Sequence, residues 1–316
     1  VAWEYDSLFD AAVKPGGDDL REAAWKTEPT AIRVGRMGYR TRTTIAGSRL
    51  EAEVFPIYGR GQAGAVREAK RNASRETQER ANHARSIRRA VLLAEANFTE
   101  EDLFLHLTYK GSEPDDKRCR QDLANFFRRV RRLREKRGLP ELKYLYATEG
   151  GDGKHRIHAH MIISGGIERD ELERIWQETT GGRGGRCRAD HLQTEDGQIE
   201  AAVIYMAKEL WAKGLKGKTN EVEELARYMA DRPGKKRRWC PSRNLKEPKS
   251  RTSDTKMSNA KVRRIAADFR AEAKEIMEKL YPGYKLQRVT VYYSDVVQGV
   301  YIRTVMRRWR GRAADD

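Results

Sequence analysis

Apolar positions along the chain switch between a period of two and a period near 3.6, and each switch marks an element. Residues 31–58 alternate apolar and polar around Ala46-Gly47-Ser48 and close on Val54-Phe55-Pro56-Ile57-Tyr58, which predicts a β-hairpin. Residues 64–96 have helical composition and end in Ala90-Val91-Leu92-Leu93-Ala94, predicting a long basic helix that breaks at 97–102. Strand and helix then alternate. A strand over 103–109 is followed by an amphipathic helix over 117–137, with Leu123, Phe126, Phe127, Val130 and Leu133 at helical spacing. Gly138-Leu139-Pro140 stops that helix. Next come a strand over 143–149, a Gly-rich turn at 150–153, and a strand reading His158-Ala159-His160-Met161-Ile162-Ile163. A helix over 167–180, a Gly/Arg loop at 181–186, a strand over 187–192 and a helix over 199–213 complete a βαββαβα order. With its central strands joined as a hairpin, that order predicts an α+β fold, an antiparallel sheet with helices on one face. Beyond it the pattern gives a charged helix (219–231), a basic loop (232–256), a helix (258–280) and a second hairpin (286–306). The chain thus divides into an N-terminal extension, 1–97, a central domain, 98–250, and a C-terminal helix and hairpin, 251–316.

Charge adds a partner. The net charge is +17, and it is clustered. Between Arg67 and Arg89 stand eight Lys/Arg against three Glu; from Arg128 to Arg137, seven against one; from Arg232 to Lys246, seven against none. One such run describes a solvated helix face, but three together point to phosphate contacts with nucleic acid. Arg128, Arg131, Arg132, Arg237, Arg238 and Arg243 are the expected contacts. No apolar run approaches a membrane span, and no secretory signal is visible. Cys119, Cys187 and Cys240 lie far apart, against a disulfide framework and in keeping with a reducing cytoplasm.

The histidine strand adds chemistry. Side chains at i and i+2 of a strand share a face, so His158 and His160 can bind one ion while Ala159 faces the core. Glu149, at the end of the preceding strand, is the best third ligand. Such a mixed oxygen and nitrogen set suits Mn²⁺ or Mg²⁺ and tolerates Zn²⁺ or Co²⁺. An isolated His-x-His equally describes two packed or surface histidines. His155 projects from the opposite face or the turn and reads as a DNA contact; His106 and His191 have no constellation around them and read as structural. Tyr205 and Lys208, three apart on a predicted helix, are neighbours on its surface. A phenol titrates at about 10, so a nucleophilic Tyr benefits from a nearby cation. Tyr-x-x-Lys also arises by chance on many helices.

Three segments in order, Phe104-Leu105-His106-Leu107-Thr108-Tyr109, His158-Ala159-His160 and Tyr205-Met206-Ala207-Lys208, resemble the motifs of HUH endonucleases. More narrowly they resemble rolling-circle replication initiators of plasmids, phages and integrative elements, related to the filamentous-phage gene II type. The resemblance covers roughly 98–250. It implies a five-stranded antiparallel sheet of RNA-recognition or ferredoxin-like kind, with a metal site on its open face and the tyrosine helix alongside. It implies His158 and His160 as ligands, Glu149 as the acidic ligand of some branches, Tyr205 as nucleophile and Lys208 as its companion. No Tyr lies one turn either side of Tyr205, which implies a single-tyrosine mechanism. The expected activity is nicking of single-stranded or hairpin origin DNA, giving a 5′-phosphotyrosyl link and a free 3′-OH. The setting is the cytoplasm of a bacterial host. No G-x-x-x-x-G-K-[ST] loop occurs, so a host helicase and polymerase are expected partners. Rival readings are a relaxase or single-tyrosine transposase with the same chemistry, or a non-catalytic nucleic-acid-binding protein.

Overall fold

A computed structural model describes residues 14–15, 38–57, 75–150, 156–194, 198–208, 239–269, 271–294 and 299–309. The described strands are β1 (Lys14–Pro15), β2 (Gly38–Ala46), β3 (Arg49–Ile57), β4 (Leu103–Tyr109), β5 (Tyr144–Glu149), β6 (His158–Ile163), β7 (Gly184–His191), β8 (Cys240–Pro241), β9 (Lys249–Ser253), β10 (Tyr284–Ser294) and β11 (Gly299–Arg308). The described helices are α1 (Arg75–Asn97), α2 (Asp116–Lys136), α3 (Arg169–Thr179), α4 (Gln198–Lys208), α5 (Asn259–Ala267) and α6 (Ala271–Leu280). They form two compact units: Val1–Arg88 with Pro248–Asp316, and Arg89–Glu247. The architecture is α+β.

In the second unit a five-stranded sheet runs β7-β4-β6-β5-β8, antiparallel throughout. Its central strands alternate. Leu103, Leu105 and Leu107 of β4 and Ala159, Met161 and Ile163 of β6 enter one core cluster. Leu123, Phe126, Phe127 and Val130 of α2, with Leu172, Ile175 and Trp176 of α3, fill that cluster from the other side. The apolar stripe of α2 is therefore what holds it to the sheet, at about 1.5–3 kcal/mol for each large side chain fully buried. Asp115 caps α2, its carboxylate accepting the Arg118 N–H at 2.7 Å. Helices α2 and α3 thus cover one face, and the residues alternating with the core, among them His106, His158 and His160, belong to the other.

The first unit joins the two ends of the chain. Its six-stranded sheet runs β1-β10-β11-β3-β2-β9, and the β3–β11 pairing sets Val54 against Ile302 and Leu50 against Met306. The two predicted hairpins are present, the first turning at Gly47, whose φ of 57° suits the tight turn between β2 and β3. Two expectations are corrected. The basic loop 232–256 carries strands β8 and β9 in its described part, because edge strands need only one ladder partner and show no apolar alternation. The single helix over 258–280 is two helices, because the Asp268 carboxylate accepts the Ala271 N–H at 3.1 Å and caps a new start. The charged helix expected at 219–231 lies outside the described residues. No described helix is long and apolar enough to cross a membrane.

Leu50, Ala52 and Val54 of β3 pack with Val262 and Ile265 of α5 and with Ile276 and Met277 of α6. The intervening Arg49, Glu51 and Glu53 are buried as charges. Glu51 meets Arg88 at 2.6 Å, Arg49 at 2.7 Å and Arg303 at 3.3 Å; Arg88 also grips Glu53. Burial alone would raise the Glu51 carboxyl, but Arg303, Arg88 and Arg49 outweigh it and hold it far below the usual carboxylate range. Replacing Glu51 with Gln removes the buried carboxylate that Arg49 and Arg303 share and leaves Arg88 only Glu53, which should cost about 3–5 kcal/mol in chemical denaturation at neutral pH. Because the folded carboxyl titrates below the unfolded one, its contribution is complete above pH ~4.3 and shrinks as pH falls, so the deficit of Glu51→Gln should narrow in acid.

Candidate metal and nucleic-acid site

The pleat of β6 and its two neighbours assemble the site. In register, His158 stands opposite Glu149 of β5, and His160 opposite His106 of β4. The Glu149 Oε2 lies 3.3 Å from His158 Nε2 and 3.4 Å from His160 Nε2. Two donors each about 2.1 Å from one ion stand about 3.0–3.4 Å apart at octahedral to tetrahedral angles, so these separations suit a shared cation. The Glu149 side chain is 1% exposed, His160 4% and His158 15%, which leaves His158 as the solvent-side member. The His158 Nδ1 donates to the Arg156 carbonyl at 2.8 Å. That bond fixes the tautomer and turns the Nε2 lone pair towards Glu149. The donor set therefore fits a divalent metal.

His106 joins the cluster, contrary to the expectation that it stands alone. Its ring stacks on His160 with centroids 4.3 Å apart and meets His158 edge-on at 5.0 Å. One ligand atom from each of the three histidines lies within 4.8 Å of the others, and the three can hold a metal ion. That spacing is looser than the Glu149 contacts. Among the described residues, His106 Nε2 and His160 Nδ1 are buried without hydrogen-bond partners. The sequence signal was available: Phe104, His106 and Thr108 alternate with Leu105 and Leu107, so His106 had to face the same side as the histidine pair once β4 and β6 were neighbours. His191 ends β7, exposed, outside this cluster.

The tyrosine arrives from α4. Ile199, Val203 and Met206 bury one stripe of that helix, and Tyr205 is left 54% exposed. Its ring meets His160 edge-on at 5.1 Å and Phe104 at 6.1 Å. Lys208 is the last residue of α4; its side chain lies outside the description. Two cations that sequence reasoning missed share the histidine face. Cys187 of β7 enters the core, so Arg186 and Arg188 on either side of it point the other way, and Arg188 stands opposite His106. Both are exposed, with Arg188 paired to Asp190 at 2.9 Å. An Arg-x-Arg in a strand is the signal that marks them.

The other expected DNA contacts scatter. Arg128, Arg131 and Arg132 lie on α2, which covers the opposite face of the sheet, and Arg131 donates to the Tyr144 hydroxyl at 3.3 Å. Arg243 is exposed just beyond β8, where Ser242 is bonded to Tyr144. His155, Arg237 and Arg238 lie outside the described residues.

Residues 102–237 match the family model of the replication-associated ORF2/gene II protein. The matched stretch contains His106, Glu149, His158, His160, Arg186, Arg188 and Tyr205, and it is consistent with a replication protein of the gene II type. No curated protein and no solved structure matches the chain.

Burial, then the neighbouring His160 and His158, push His106 down to about 4. As pH falls, the unfolded imidazole takes its proton first, near pH ~6.5. The contribution of a neutral His106 is therefore complete above that pH and is lost as pH drops towards the folded value. In the presence of chelator, His106→Asn should show a flatter decline of stability than the parent protein between pH ~6.5 and the folded value. A denaturation series across that window measures the difference; parallel curves would rule out a neutral, buried His106.

Proposed function

We propose that this chain is a replication initiator that nicks DNA, with Tyr205 as the nucleophile. The observation that carries this reading is the exposed Tyr205 ring 5.1 Å from His160, beside donors spaced for a cation. The family match over 102–237 supports it, and so does the order of strand, histidine pair and tyrosine helix on one sheet face. In this reading the domain is an HUH endonuclease using one tyrosine.

Glu149, His158 and His160 would hold a divalent ion, Mn²⁺ or Mg²⁺, which when bound supplies positive charge to the scissile phosphate. His106 packs against His160 and limits its rotation. The Tyr205 Oη loses its proton and attacks phosphorus; the bond to the 3′ oxygen breaks, and that oxygen leaves as a hydroxyl after taking a proton. The products are a 5′-phosphotyrosyl protein and a 3′-OH able to prime synthesis. The covalent bond retains the phosphodiester energy, so the same 3′-OH can reverse the attack. Lys208, one turn along α4, eases phenolate formation, while Arg186 and Arg188 meet neighbouring phosphates. The substrate is origin DNA presented as a single strand or hairpin, in a bacterial cytoplasm where host helicase and polymerase complete replication.

Incubation with a labelled origin oligonucleotide should yield a covalent adduct that Tyr205→Phe abolishes; an undiminished adduct would sink the assignment. The double variant His158→Ala/His160→Ala should lose nicking by about 10²-fold or more, on the order expected for losing a catalytic metal, while keeping salt-sensitive binding. Cleavage that survives chelator counts against the ion. Binding without any adduct would favour the non-catalytic reading.

A further inference from the structure

The basic helix α2 lies on the sheet face that the histidines do not use. Its inner stripe, Leu123, Phe126, Phe127 and Val130, is buried against β4 and β6 from the helix-covered side. Its arginines divide into two groups. Arg118 pairs with Asp122, Arg129 with Glu178 and the C-cap Arg137 with Glu171, Arg131 lies over Tyr144, and the buried Arg134 donates to the Pro140 and Gly165 carbonyls. Arg120, Arg128 and Arg132 are exposed and, among the described residues, form no ion pair or hydrogen bond. They follow an i, i+4 ridge that is inclined to the helix axis, so Arg128, Arg132 and the next member, Lys136, share the outward side while Arg120 lies on the flank. At 1.5 Å per residue the outward part of the ridge, from Arg128 to Lys136, runs about 12 Å along the axis.

We propose that this ridge of cations is a second nucleic-acid contact, a docking face for duplex DNA flanking the strand that enters the histidine face. The partner is argued from charge and from surface chemistry. Exposed cations without acidic partners on one side of a helix suit phosphates. A single-strand platform needs exposed aromatic rings for base stacking, and the outward positions Ala124, Arg128, Arg132 and Lys136 offer none; Phe126 and Phe127 are both buried. The histidine face has Arg186 and Arg188 of its own, so phosphate contacts there do not depend on α2. Contacts along α2 fix register without reading sequence. The inference rests on the nucleic-acid reading of the chain and not on the tyrosine chemistry.

The test compares two probes: a single strand of about six nucleotides, and the same strand carrying a duplex arm. The full chain carries Tyr205→Phe, so that binding is measured without reaction. Adding Arg128→Glu and Arg132→Glu, both at exposed positions, should leave affinity for the short strand unchanged. Affinity for the duplex-bearing probe should fall at least tenfold, and its log–log salt slope should shrink by about two. An unchanged slope on the duplex probe would overturn the proposal and make the row a solvated face. Equal losses on both probes would overturn it as well, placing α2 in the path of the reacting strand. In the Tyr205-intact background, adduct formation on the short strand reports the nicking reading separately: its absence would defeat that reading and leave the docking face standing.

Discussion

A strand hydrogen-bonded on both edges and packed into a core through every second side chain cannot slip by one residue without exchanging its faces. β6 is such a strand. Ala159, Met161 and Ile163 commit it to the cluster under α2 and α3, and β4 and β5 hold it from either side. His158 and His160 are consequently forced to the other face, in register with Glu149 and His106. The distances among their donor atoms follow from the ladder, since opposite residues of antiparallel strands sit about 4.5–5.5 Å apart at Cα. A metal-ready arrangement is thus a by-product of hydrophobic packing on the reverse side, and its rigidity derives from Met161 and Ile163 as much as from the ligands.

Much of this was legible in the sequence because it depends on period and order. Alternation in 103–109, the stripe in α2 and the His-x-His spacing each require only local geometry, and the βαββαβα order restricts how the strands pair. His106 was missed for a reason that is equally physical: its meaning depends on which strand becomes its neighbour, a non-local fact that a lone histidine does not announce. Arg186 was lost behind a strand placed too late, at 187 instead of Gly184, because glycines 184 and 185 read as a loop, and Arg188, inside the expected strand, takes its meaning from His106 on the neighbouring strand. Strand positions 184 and 185 are glycine because nothing larger fits: a Cβ on Gly184 would stand 2.8 Å from Trp176, and one on Gly185 2.4 Å from Thr108. The split of 258–280 turned on one side chain, Asp268, whose capping bond outweighs the helical periodicity on both sides of it.

The two units use charge in opposite ways. In the first, Glu51 and Glu53 are sealed among arginines contributed by β3, α1 and β11, so the pairing is satisfied internally and tells against a role in binding. In the second, the acidic Glu149 is buried beside imidazoles, whose neutral ring nitrogens are themselves metal ligands. A carboxylate so placed keeps its capacity to attract a cation. The basic groups of this unit are divided between a short pair beside the histidines and a ridge on α2, separated by the thickness of a sheet and a helix.

The position of Arg186 and Arg188 on β7 has a further consequence. β7 is an edge strand with a single neighbour, whereas the strand bearing the histidines is locked between two. Changes at the outward positions of an edge strand are absorbed locally, because no second ladder transmits them. Under the proposed function, substitutions at these arginines would retune how a DNA backbone is held while the site two strands away keeps its geometry. The fold places its adaptable residues at the margin and its geometrically constrained ones at the centre, a division that would let the target change without relearning the reaction.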